Sequence, residues 1–239
     1  MLATASLDAL KRIADRANDV LSAYAPGAVP RFGDVAGPAR SLPVDDPLSV
    51  SAPQGAWFVV SDERGTRTFT RSGTFHFGAD GTLQTSDGAR VLGTGPAGGA
   101  LEPLRLPEPD RSLGRCTDVG IDDDGSVAYS RTSIDPRTRE RSLERTVVGR
   151  IALARFPAGG NPQRIDATHF SEVAGVVPHL GMPGDGAFGA LDPRTRDLGG
   201  VDLDAGLRRL SDAYVAFSAL QAANKAQGAS AKVTMDLLK

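Results

Sequence analysis

The apolar pattern of this chain changes period twice, and that change constrains the fold more than any other feature. From Ala56 to Phe156 apolar residues recur at every second position in short runs. The runs are Trp57-Phe-Val-Val, Thr66–Arg71, Thr74–Phe77, Thr82–Thr85 and Arg90–Leu92. Between them lie Glu63-Arg-Gly, Ser72-Gly, Ala79-Asp-Gly and Ser86-Asp-Gly, sequences that favour tight turns. Thr117–Ile121 and Ser126–Ser130 then flank Asp123-Asp-Gly, and Thr146–Phe156 follows. The pattern predicts a twisted antiparallel β domain over residues 56–200, and 28 glycines and 16 prolines suit a chain that turns often. Its core should include Phe69, Phe75, Phe77, Leu83, Val91 and Leu92. Phe75 and Phe77 should share one face, with His76 opposite.

Both ends change to helical spacing. Ser6 can cap a helix to Tyr24, with Leu7, Leu10, Ala14, Ala17, Leu21 and Tyr24 along one narrow seam. Ala25-Pro-Gly ends it. From Asp202 to Leu238 a second helix carries Leu203, Leu207, Leu210, Tyr214 and Phe217 at 4-3-4-3 spacing. The same frame continues through Gln221, Asn224, Gly228, Ala231, Met235 and Leu238. Seams this narrow suit a coiled-coil-like pair better than the broad face of an ordinary packing helix, which is the alternative reading. Residues 25–55 hold six prolines and little periodicity, so an extended linker is expected there. The expected order is an N-terminal helix over 1–24, the linker, the β domain, and a C-terminal helix over 201–239.

Charge excludes one large class. There are 27 Lys and Arg against 29 Asp and Glu, without the basic excess of a nucleic-acid protein. Residues 131–150 hold six arginines but lack interleaved aromatics, which favours a solvated hairpin face. One cysteine, Cys116, rules out an intramolecular disulfide framework and a cysteine-based zinc site. The first residues have no basic segment ahead of an apolar run, so no cleaved secretory signal is expected.

Candidate chemistry fails on context. Gly93-Thr-Gly-Pro-Ala-Gly98 fits a dinucleotide fingerprint, but Gly99 and Pro103 follow where a helix must begin. Asp122-Asp-Asp-Gly125 has the look of a calcium loop, yet Gly120 and Arg131 stand where ligands are required, so a hairpin turn is expected. His76, His169 and His179 have no metal spacing, and a hydrolase built on His169 or His179 would lack a nucleophile elbow. The residues predict no enzyme, cofactor, metal or small-molecule substrate.

One stretch carries a specific resemblance. Thr68-Phe-Thr-Arg-Ser-Gly-Thr-Phe-His-Phe-Gly-Ala-Asp-Gly-Thr-Leu-Gln-Thr-Ser-Asp-Gly-Ala-Arg-Val-Leu-Gly93 resembles the core motif of the flagellar rod and hook protein family. The matching positions are Phe69, Thr70, Arg71, Gly73, Phe75, Gly81, Leu83, Gly88, Val91, Leu92 and Gly93. Val148-Gly-Arg-Ile-Ala-Leu-Ala-Arg-Phe156 is similar to the family's second signature through Val148, Gly149, Ile151 and Phe156. The order of helix, linker, β domain and helix also agrees with the family. Two helical segments depart from it: Asn18-Asp-Val keeps one of the usual asparagines, and Gly199-Gly-Val replaces a Ser-Asn-Val.

The resemblance implies a structural subunit of the flagellar basal-body rod, of the proximal or distal type. Hook subunits carry a further outer domain, and the residues between linker and last helix suffice for one. The implied partners are copies of itself, other rod and hook subunits, and the flagellar export apparatus, with no nucleic acid. The implied residence is the periplasm-spanning rod. The helical seams, Leu7 to Leu21 and Leu203 to Leu238, would be its assembly interface. A β-rich secreted binding or adhesin module braced by its helices is the competing class.

Overall fold

The computed structural model describes residues 2–21, 41–107, 116–134, 141–157, 160, 162–166, 168–198, 200 and 202–237. They form two compact units, one holding both helices and one, within Ala39–Gly199, holding every described strand.

The β unit contains β1 (Ser41–Pro43), β2 (Val50–Ser51), β3 (Ala56–Ser61), β4 (Arg67–Thr70), β5 (Phe75–Phe77), β6 (Leu83–Thr85), β7 (Arg90–Thr94) and β8 (Glu102–Pro103). It continues with β9 (Cys116–Ile121), β10 (Ser126–Ile134), β11 (Arg141–Ile151), β12 (Leu153–Arg155), β13 (Gln163–Arg164), β14 (His169–Ser171), β15 (His179–Gly181), β16 (Asp192–Pro193) and β17 (Thr195–Asp197). Most join one curled antiparallel sheet, whose main path runs β13-β14-β4-β3-β7-β11-β10-β9. β3 changes neighbours along one edge: its first half pairs with β12 and its second half with β7. That exchange wraps the sheet around a single core.

The period-two reading accounts for this core. Phe75 and Val91 are buried and Leu83 is fully so, with Phe58, Val60, Tyr129, Ile151 and Leu153 packed among them. Phe77 is partly buried against the same cluster and His76 is exposed, so β5 has the expected two faces. A smaller aromatic layer forms on the other face, where Phe69 meets Phe156 at 5.0 Å and Trp57 meets Phe170 at 4.6 Å. The Asp-Gly turns close as expected. Gly88 and Gly125 take positive φ and donate N–H to the carbonyls of Thr85 and Asp122. Asp122–Gly125 is therefore a hairpin turn.

The linker expected over 25–55 needs correcting. Residues 41–55 belong to the β unit: β1 pairs with β17, and β2 with β16. The Val50 N–H bonds to the Gly73 carbonyl, Phe75 N–H to Leu48, and Ile121 N–H to Pro47. Asp46 fixes the bend by accepting bonds from the Leu48 N–H (3.0 Å) and the Ser49 hydroxyl (2.6 Å). The described prolines fit: Pro43 ends a three-residue strand, and Pro47 and Pro53 take part through their carbonyls, which accept the N–H groups of Ile121 and Ala56. Residues 22–40, including Tyr24, lie outside the described residues.

The helical unit contains α1 (Leu2–Leu21) and α2 (Leu203–Leu237), which pack on each other. Asp202 caps α2 through its carboxylate, which accepts the Ala205 N–H at 3.0 Å. Asp204 in the first turn complements the helix dipole.

Candidate functional site

The helix pair buries a different phase of α1 from the one expected. Leu7, Leu10 and Leu21 are 68%, 48% and 81% exposed, and Ala14 is exposed too. The less exposed positions are Ala9, Ile13, Arg16, Ala17 and Val20, with Asp19 buried. On α2 the less exposed positions are Leu203, Gly206, Leu210, Ala213, Phe217, Leu220 and Asn224, an unbroken 3-4 alternation. Leu203, Leu210 and Phe217 thus lie on the inward side, whereas Leu207 and Tyr214 are 48% and 65% exposed. Small residues set this phase. A Cβ on Gly206 would lie 3.1 Å from Val20 Cγ2, so the glycine lets the helices approach. Further along, Asp8, Arg12 and Arg16 of α1 line a groove of 620 Å³ with Arg209, Asp212 and Phe217 of α2. The side chain of Met235 and the whole of Leu238 lie outside the described residues.

The motif residues of the β unit act as framework. Arg71 is the most connected. Its side chain is 11% exposed, and its guanidinium donates to the carbonyls of Pro53 (3.0 Å) and Ala56 (2.6 Å) and to Asp197 Oδ2 (2.9 Å). It ties the bend before β3 to β17, near the far end of the unit. Thr70 is fully buried and accepts the Ser72 N–H, which tightens the step into Gly73. A Cβ on Gly73 would run into the Val50 carbonyl and lie 2.8 Å from the Phe58 ring. Gly93 and Gly149 both lie beneath Leu104, a Cβ on Gly93 running into the Arg150 carbonyl and one on Gly149 into the Thr94 carbonyl, which leaves no room for side chains. Leu83, Val91, Leu92, Val148 and Ile151 are buried, Phe75 packs edge-on against Phe58, and Phe156 is half-buried.

The histidines separate. His76 is exposed, and His179 is exposed and stacked on Phe188. His169 is buried, with Asp166 and Asp87 beside its ring and, among the described residues, no serine or cysteine lining its pocket. Among the described residues no group of three or more His, Cys, Asp or Glu is placed to hold a metal ion. A groove of the β unit, 1120 Å³, has an acidic rim at Asp118 and Asp122–Asp124. Its carboxylates have internal work: Asp122 pairs with Arg145, and Asp124 accepts the Ser126 N–H and hydroxyl. Burial opposes the charge of Asp124, but those bonds and Arg150 outweigh it and hold the group below the usual carboxylate range. Sequence reasoning missed the Arg71–Asp197 pair and the carboxylates around His169. Only Arg71, within the motif, carried a signal.

The unit organised around Arg71 and the close-packed glycines has a counterpart among known domains. Residues 54–129 match the family model described as flagellar hook protein FlgE/F/G D1 domain. The match supports the flagellar rod and hook protein family. It contains the first motif whole, while Val148–Phe156 lies beyond its end. The family is structural and is not known for enzymes, so the match supports an axial structural protein of the flagellum. Rod and hook types share the domain, and the match does not choose between them. Comparison with curated proteins found no significant match. No helix among the described residues is long and apolar enough to cross a membrane.

Proposed function

We propose that this chain is a subunit of the flagellar basal-body rod, polymerising into the axial tube that transmits torque. The domain match over residues 54–129 carries the reading. In chain order one compact β unit separates α1 from α2, which favours a rod type over a hook type with a further outer domain. The terminal helices supply the assembly surface. Leu7, Leu10 and Leu21 of α1 and Leu207 and Tyr214 of α2 are solvent-exposed apolar side chains in the single chain. A neighbouring subunit would cover them, and a head-to-tail contact whose rotation does not close generates a helical filament. Its partners are then copies of itself and the adjoining rod and hook subunits. The chain would reach the periplasm-spanning rod through the flagellar export apparatus.

Leu207→Asp tests this. Leu207 is exposed, so the change leaves the fold within about 0.5 kcal/mol of the wild type. In an assembled tube it would place an unpaired charge in an interface. The variant should keep the β unit's melting temperature and fail to restore rod assembly and swimming in cells lacking the wild-type chain. Normal swimming would remove this face from the assembly surface. Restoration of hooks on preformed rods, rather than of rods, would assign the chain to the hook type.

A further inference from the structure

His169 is 7% exposed at the start of β14, and its ring lies between carboxylates from two separate turns. Nδ1 is 3.2 Å from Asp166 Oδ2, within the β13–β14 arm. Nε2 is 3.2 Å from Asp87 Oδ2, in the β6–β7 turn, and off the line of a hydrogen bond, so that link is one of charge. The pocket around the ring is lined also by Asp62 and Glu63 of the β3–β4 turn, with Thr68, Gly88, Ala89 and Ile165. Among the described residues no arginine or lysine lines it. Arg164, on the same arm, packs over the Phe170 ring at 5.1 Å and donates to the backbone carbonyl of Asp166 at 3.4 Å.

We propose that Asp87, His169 and Asp166 form a proton-operated latch that holds the tip of the β13–β14 arm against the β6–β7 turn. A protonated ring has two N–H groups and a positive charge, and attracts both carboxylates. A neutral ring has one N–H and turns a lone pair towards the other carboxylate. The Asp166 N–H donors keep that carboxylate in place: it accepts the N–H of Thr168 at 2.8 Å and of His169 at 2.7 Å. Burial opposes the charge on Asp166, but these two bonds and His169 hold it below the usual carboxylate range, so it stands beside the ring as a fixed negative charge. The element that loses its hold is therefore the contact to Asp87. The rest of the arm stays anchored, because β14 pairs with β4 and Phe170 packs on Trp57. Opening is confined to the tip, whose Ile165 and Asp166 N–H groups donate to the His169 carbonyl.

The sign follows from the charges. Raising the pH removes the ring's proton and opens the tip. Lowering it keeps the latch closed until the carboxylates themselves protonate. The test uses the full-length chain and follows the His169 ring by NMR, its signal assigned by substituting the exposed His76 and His179. Exchange of the Ile165 and Asp166 amides is measured over the same pH series and corrected for intrinsic base catalysis. Protection should fall on the order of threefold to fivefold as the ring loses its proton, the effect of one partly exposed ion pair. Asp87→Asn keeps a residue suited to the turn before Gly88 and removes only the charge. It should abolish the step. A wild type without a step, or the same step in Asp87→Asn, would overturn the latch.

Discussion

Removing the Arg71 guanidinium should destabilise the β unit more than any other single change on its surface-facing rim. Arg71→Met keeps much of the aliphatic stem and deletes the charge. The Asp197 side chain, 6% exposed, then loses its arginine, and the carbonyls of Pro53 and Ala56 each lose one donor. Breaking a buried pair by removing one partner costs about 3–5 kcal/mol. For a domain of this size each kcal/mol lowers the melting temperature by about 2–4 °C, so the loss should be roughly 6–20 °C. Trp57, the sole tryptophan, lies in β3 beside Phe170 and reports unfolding of this unit by fluorescence. Arg71→Lys should also destabilise, because one ammonium cannot span acceptors that a planar guanidinium reaches together. Asp197→Leu offers a control, since Arg71→Met in that background no longer takes the arginine from a buried carboxylate. The coupling between the two sites should be about 0.5–3 kcal/mol. A loss below about 1 kcal/mol for Arg71→Met, or full additivity with Asp197→Leu, would refute the clamp.

Three further outcomes follow from the same geometry. Gly73→Ala should cost about 1–3 kcal/mol or more in urea unfolding, because its methyl meets the Val50 carbonyl and the Phe58 ring; a neutral result would mean that β2 does not pass there. Phe75→Ala should cost about 3–5 kcal/mol, since the ring is 3% exposed and packed edge-on against Phe58. Asp80 is held below the usual carboxylate range by the Thr82 hydroxyl and N–H, and Asp124 and Asp166 are also lowered by their turn bonds. The unfolded chain therefore takes up protons first, near pH 4, and stability present above that point is lost as the pH falls through the folded values. Urea midpoints that stay flat from roughly pH 5 to pH 2 would contradict this.

Features decided by neighbours in sequence were readable in advance. Alternation placed β3 to β7, and the Asp-Gly pairs placed their turns, because a positive φ at Gly88 or Gly125 is a local requirement. Phe75, Leu83 and Val91 followed from the same alternation. Features decided by distant partners were not readable. Residues 41–55 have no period of their own, since Val50, Leu48 and Pro47 bond individually to Gly73, Phe75 and Ile121. Asp197 lies 126 residues from the arginine it pairs with. Nothing beside Asp87 in the sequence marks it as the neighbour of a histidine in β14.

The helices show a third case, in which the pattern was visible and its phase was not. Counting large apolar residues selects Leu207 and Tyr214 on α2 and Leu7, Leu10 and Leu21 on α1. Contact between two helices is set as much by where they can come close, and that favours Gly206 and Ala213 with Ala9 and Ala17. On α2 the two phases share Leu203, Leu210 and Phe217, so the seam turns by about one residue. On α1 the inward face moves to Ile13 and Val20 and leaves the leucines outside. A helix pair that only braced a β domain would gain nothing from three exposed leucines on α1. Each leaves apolar surface in water that burial would stabilise by about 1.5–3 kcal/mol. That unused stabilisation becomes available when another surface covers the leucines, as the proposed polymerisation through the helices would require.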